Sequence, residues 1–163
     1  MKKQTNSQCY YLGKAYPLYT KVDASAKKTT VEWDGEAFIC ILPKDDEKTD
    51  IAGAIKLFYK RASRKLIEER LRFYQPGFKV KYRSFAIEDS LVKWGSCNSK
   101  RNLTFHWRLM AYPMDVIDYV VVHELCHLVH MNHDRSFWRL VGKVYPGYKE
   151  AMEILGTVKT RDI

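Results

Sequence analysis

The chain has 163 residues, 46% of them hydrophobic, which suits one globular domain with a real core and argues against disorder. Its formal charge of +9 favours contact with something acidic, such as nucleic acid. No apolar run has the length of a membrane span, and the polar start Met1–Ser7 lacks the apolar stretch of a signal peptide. The four cysteines (Cys9, Cys40, Cys97, Cys126) are scattered without a C-x-x-C pair, so a reducing cytoplasm is the simplest compartment.

Taken in chain order, residues 9–22 read as extended. Thr29–Trp33 and Ala37–Leu42 flank Asp34-Gly35, a hairpin signal. Pro43–Thr49 reads as a charged loop, after which Asp50 caps a helix running to about Tyr74. Its apolar stripe is Ile51, Ile55, Phe58, Ala62, Leu66 and the Ile67/Leu71 edge, and Gln75-Pro76-Gly77 stops it. Phe78–Phe85 alternates apolar and basic residues and predicts a strand. A further strand pair is expected at Ser90–Trp94 and Leu103–Leu109, across the polar turn Asn98–Asn102.

Ala111–Met131 reads as a helix started by Pro113 and Asp115 and apolar almost all round, hence buried. Ser136–Tyr145 is a helix, Pro146-Gly147 breaks it, and Tyr148–Leu155 is a last short one. The absence of βαβ alternation predicts one α+β domain over residues 1–163, with residues 1–8 and 156–163 flexible. Its small mixed or antiparallel sheet packs on helices, the buried one among them.

That helix carries His123-Glu124-Leu125-Cys126-His127. Two histidines four apart on a helix share a face, one turn apart, and can bind a single zinc. Glu124, beside the first, can reach a water at the metal's open position, so the pattern supplies a ligand pair and a general base. A catalytic zinc usually takes three protein ligands. His130 lies seven residues from His123, about 10 Å along a helix, too far to share the ion unless the helix breaks early. His133 can return over the metal if the chain reverses between Asn132 and Asp134, a helix terminator and an N-cap. Glu150, on a later helix, is the other candidate.

The positive charge is uneven. Lys56, Lys60 and Arg64 recur on one helix face, and Lys79, Lys81 and Arg83 on one strand face. Both are candidate nucleic-acid contacts, although Arg64–Glu68 and Lys65–Glu69 neutralise part of the first.

Two segments together resemble the YgjP-like metallopeptidase family, a relative of the SprT-like zincins. One is Trp94-Gly95-Ser96-Cys97 with Asn102-Leu103-Thr104-Phe105-His106-Trp107-Arg108-Leu109. The other is His123-Glu124-Leu125-Cys126-His127-Leu128 with Asn132-His133 and Phe137-Trp138. Tyr11-Leu12-Gly13-Lys14 and Tyr16-Pro17-Leu18 extend the likeness, which runs from about residue 10 to 155. Arg101, His106 and Asp134 depart from the family's usual Gly, Asn and Ser.

The resemblance implies a zincin-like fold and one Zn2+ per chain on His123, His127 and His133, with Glu124 catalytic, acting on a protein or peptide substrate. It also implies that Trp94–Cys97 is structural, with Gly95 allowing close backbone approach. Leu103–Leu109 is the expected edge strand beside the cleft, and along it His106 and Arg108 are candidate substrate contacts. Two rival readings are a SprT-like protease acting on DNA-bound proteins, with Lys56, Lys60 and Arg64 holding the polymer, and a non-catalytic module with a structural zinc.

Overall fold

The computed structural model describes residues 1–44 and 49–156. Residues 45–48 of the expected charged loop, and the tail from 157 onward, lie outside the described residues. Among the described residues the fold is α+β, with two small mixed sheets and four helices.

The first sheet begins with β1 (Lys2–Tyr11) and β2 (Lys14–Asp23), an antiparallel hairpin. The sequence suggested a single extended stretch from residue 9, but pairing of Lys2–Gln4 with Tyr19–Lys21 carries the strand back to the N-terminus. The turn is Leu12-Gly13, with φ of 49° and 84°. Both values are positive, as a two-residue turn between twisted strands requires. Leu12 N donates to Met110 O at 2.7 Å and Gly13 N to Ala111 O at 3.1 Å. A Cβ on Gly13 would stand 2.8 Å from Pro113 Cγ, so the glycine lets the hairpin tip seat against Pro113. β3 (Thr30–Trp33) and β4 (Phe38–Pro43) form the expected hairpin, with Asp34 Oδ1 accepting from Glu36 N and Ala37 N. β4 pairs in parallel with β2, giving the order β1-β2-β4-β3.

α1 (Ile51–Tyr74) has the predicted limits, and Asp50 Oδ1 accepts from Gly53 N at 2.7 Å. Its buried line is Tyr59, Ser63, Ile67 and Leu71, while Ile55, Phe58, Ala62 and Leu66 pack at its margin.

The next segment differs from its pattern. Phe78–Arg83 is not a strand, and only Ser84 and Phe85 of the expected Phe78–Phe85 are paired. Gln75 Nε2 donates to Val80 O and Gln75 Oε1 accepts from Tyr82 N, so a side chain satisfies backbone groups that a ladder would have used. The strand is β5 (Ser84–Glu88). Ser90–Trp94 is a loop for a similar reason, since Ser90 Oγ accepts from Val92 N and Lys93 N. β6 is Gly95–Cys97 and β7 is Asn102–His106. β7 ends three residues before the expected Leu109 because His106 Nδ1 accepts from Arg108 N and turns the chain into a 3-10 segment, Trp107–Ala111. The order is β5-β7-β6, so β7 is central and not an edge. In the β6–β7 turn Arg101 has φ 64°. That is left-handed backbone, which a glycine would adopt without strain.

α2 (Met114–Cys126) is buried nearly all round, as its composition predicts. It starts after Pro113 and ends at Cys126, shorter than the expected Ala111–Met131, because Leu128, Val129 and His130 donate back to Leu125 and Cys126 carbonyls in a tight terminal turn. α3 (Arg135–Val144) is capped by Asp134, whose Oδ1 accepts from Phe137 N at 2.9 Å, and α4 (Tyr148–Gly156) packs back on α2. No described helix is long and apolar enough to cross a membrane.

One buried pair locks α2 to α1. Asp118 accepts from Arg70 Nε at 2.6 Å, from Arg70 Nη2 at 2.9 Å and from Tyr74 OH at 3.1 Å. Asp118→Ala leaves the guanidinium without its partner, and because Arg70 keeps some solvent access the expected loss is about 2–4 kcal/mol. Urea unfolding of the variant checks this, and a midpoint within error of the parent would reduce the pair to a surface contact.

Candidate metal centre

α2 places His123 and His127 one turn apart, and the loop between α2 and α3 brings His133 over them. His133 Nε2 stands 3.0 Å from His123 Nε2 and 3.1 Å from His127 Nε2, and all three ligand atoms lie within 4.8 Å of one another. His127 Nδ1 donates to the His130 carbonyl at 3.0 Å, so its proton is committed there and its Nε2 offers a lone pair. His123 Nδ1 bonds Tyr119 OH at 3.1 Å. Burial pushes the His123 imidazolium down to about 3, with His127 and His133 adding to the shift, and burial lowers His127 as well. Both rings are therefore neutral at pH 7, the form a metal ligand needs.

Neutral rings aiming nitrogen lone pairs at one point need a cation or a shared proton between them. Nitrogens on a tetrahedral zinc are about 3.4 Å apart, a few tenths of an ångström more than the two separations at His133, and the third pair stays within 4.8 Å. The donor set therefore fits zinc.

Glu124 completes the arrangement. It is 5% exposed, and its Oε2 is buried without a hydrogen-bond partner among the described residues. Burial pushes its carboxyl up to about 8, against the pull of Lys93 and with a smaller push from Glu88. A Cβ on Gly95 would come within 2.8 Å of Glu124 Oε1, so the glycine is what lets β6 and α2 close on each other here. A cavity of about 160 Å³ opens between them. Trp94 and Gly95 line one side, Tyr119, His123 and Glu124 another, and Leu155 of α4 a third.

The remaining candidates lie elsewhere. Glu150 is exposed in the first turn of α4 and is not in the histidine cluster. His130 contributes its carbonyl, not its ring. His106 is fully buried and edge-on to Trp94, and Arg108 lies 4.5 Å over the Trp107 ring beside a separate cavity of about 450 Å³. Neither lines the Glu124 cavity, and β7 is central where an edge strand beside the cleft was expected. Lys56 pairs with Asp89, Arg64 lies 5.1 Å from the Phe85 ring, and Lys60 is half-buried. The basic face of α1 is thus partly engaged within the chain. The thiols of Cys97 and Cys126 are pushed up by burial to about 11 and about 12, so neither is a ready thiolate.

Sequence reasoning did not single out Tyr119 or Leu155 for this site. Tyr119 precedes His123 by four residues, a helical spacing that places it on the same face. Leu155 reaches the cavity only because α4 folds back, and no local signal marks that.

The model of the YgjP-like, metallopeptidase domain family matches residues 1–157. No curated protein matches the chain. Among solved structures, the metallopeptidase zymogen abylysin of Pyrococcus abyssi is similar in fold, with a TM-score of 0.50 and 24% identity over 56% of this chain and 92% of that one. With the histidine cluster and the family match both in view, the chain belongs to the YgjP-like family of metal-dependent peptidases.

Proposed function

We propose that the chain is a zinc peptidase in which His123, His127 and His133 hold one Zn2+ and Glu124 is the general base. The observation that carries this reading is the unpartnered, buried Glu124 Oε2 beside three converging imidazole nitrogens. Zinc bound there would supply Lewis acidity, acidifying a water to a pKa of about 7 and polarising a carbonyl. A cation so close also favours the ionised form of Glu124 over the neutral one that burial alone prefers. Glu124 then accepts a proton from the attacking water and returns it to the leaving amine.

The histidines keep the donor face fixed through the Tyr119 and His130 bonds. β6 is the outer strand of its sheet and adjoins Glu124 at Gly95, so an extended substrate segment adds along β6, with Trp94 and Leu155 bounding the space for its side chain. The set has three protein ligands and, among the described residues, no fourth His, Cys, Asp or Glu, which suits a catalytic site better than a closed structural one. All four cysteines are free, which fits a cytoplasmic enzyme.

Zinc-loaded protein should cleave an unfolded protein substrate, lose that activity to a chelator and regain it on adding zinc. Fully zinc-occupied protein that cuts neither unfolded proteins nor peptide libraries would overturn the reading.

A further inference from the structure

His133 differs from its two partners in how it is held. His123 and His127 stand on or at the end of a buried helix, and each has its Nδ1 bonded, to Tyr119 OH and to the His130 carbonyl. His133 lies in an exposed loop, and the polar ring contacts that hold it among the described residues run from Nε2, not Nδ1. Metal-binding histidines usually have that second nitrogen fixed by a neighbour, which sets the ring's orientation. Another restraint must do this for His133.

Aromatic rings supply it. The Trp138 indole stacks on the His133 ring, with centroids 5.9 Å apart and planes at 25°. Trp138 in turn stacks on Tyr148 at 5.7 Å and 23°. Phe137 meets His133 edge-on at 4.9 Å and lies flat against His127 at 4.5 Å. Phe137 is fully buried on α3, so the stack has a fixed base. Offset-stacked rings gain energy beyond burial of their area, and the gain depends on the planes staying parallel.

We infer that Trp138 is the positioning residue for His133, its stacked indole setting the ring plane that aims Nε2 at the metal. Tyr148 steadies the indole from α4. This rests on the proposed assignment of His133 as a ligand, and it adds a prediction that the assignment alone does not make. Affinity for zinc depends on a flat ring at position 138, not merely on an apolar one.

The test is zinc affinity of the purified full chain, measured by competition with a chromophoric chelator, for the parent, Trp138→Phe and Trp138→Leu. Urea unfolding of each metal-free protein runs alongside. Leu keeps an apolar side chain but cannot stack, whereas Phe can. Trp138→Leu should weaken zinc binding about 10–100-fold, the scale for removing a group that orients a ligand, and Trp138→Phe should recover most of it. Tyr148→Leu leaves Trp138 in place and should weaken binding in the same direction, by a smaller factor. The inference is overturned if the Leu and Phe variants bind zinc equally well, or if their affinities follow metal-free stability and not ring shape. A parent chain that binds no zinc would instead remove the ligand assignment, and the inference with it. If Trp138→Leu does not fold, the Tyr148→Leu result decides, and parent-like affinity there overturns the proposal.

Discussion

Replacing Glu124 by Gln should leave zinc bound and reduce peptide hydrolysis by about 10²–10⁴-fold, the range for losing a positioned general base. Gln has nearly the same shape, so the close approach of Gly95 and the histidine cluster are kept, but it cannot accept the water's proton. The same substitution has a second signature in the metal-free protein, and its sign follows from burial. The Glu124 carboxyl is pushed up to about 8 from an ordinary value of 4.5. Between those values the native chain holds a proton that the unfolded chain has released, so this group's contribution to stability is full below about 4.5 and is lost as pH rises toward 8.

His123 acts in the opposite sense. Its pKa falls to about 3 from 6.5, so its stability contribution is present above 6.5 and is lost as pH falls through 3. The lowered histidines His123, His127 and His106 still gain a little stability above 6.5, equally in parent and variant, so the difference between the two proteins isolates Glu124. From pH 6.5 to 8 the parent should lose about 2 kcal/mol through this group, and Glu124→Gln should lose none of it. Urea midpoints of both proteins at the two pH values measure this. Parallel slopes would mean that Glu124 is not the buried neutral acid its surroundings require, and full turnover in the zinc-loaded variant would mean that it is not the base.

Much of the fold was legible because the deciding signals were local. Asp50 and Gln75-Pro76-Gly77 bracket α1, and Asp34-Gly35 marks the β3–β4 hairpin, all in the expected places. Three of the errors share a cause. At Phe78–Arg83, at Ser90–Trp94 and after His106, a polar side chain bonds nearby backbone and ends or replaces the strand that the apolar pattern suggested. Alternation of residue types does not show which partner a backbone group will take. Strand order is further out of reach. The parallel pairing of β2 with β4 and the central position of β7 arise from contacts between distant segments.

The metal centre divides in the same way. His123, Glu124 and His127 are legible together because α2 and its C-cap present all three, and spacing alone aligns two imidazoles and a carboxylate. His133 depends on where α2 stops. The tight turn after Cys126 and the Asp134 cap provide that reversal, and Asn132–Asp134 carried the cue. Gly95 was readable as a close approach, but not as an approach to Glu124. Leu155 and the β6 edge belong to parts of the chain that meet the site only after folding.

His133→Ala set beside Glu150→Ala separates the two ligand sets that the sequence left open. His133 Nε2 lies within 3.1 Å of both other imidazole nitrogens, while Glu150 is exposed on α4. The His133 variant should therefore lose zinc by more than the 10–100-fold typical of disturbing an orienting neighbour, because a donor atom itself is gone. Glu150→Ala should bind as the parent does. Stability reports the same event without a substrate. Free zinc at 100 times the dissociation constant stabilises a binding-competent fold by about 2.7 kcal/mol. The parent and Glu150→Ala should show that gain, and His133→Ala should show almost none at the same zinc concentration. The reverse pattern would make Glu150 the third ligand. The converging nitrogens would then be a neutral hydrogen-bonded cluster, and the loop between α2 and α3 would have to open before the site could act.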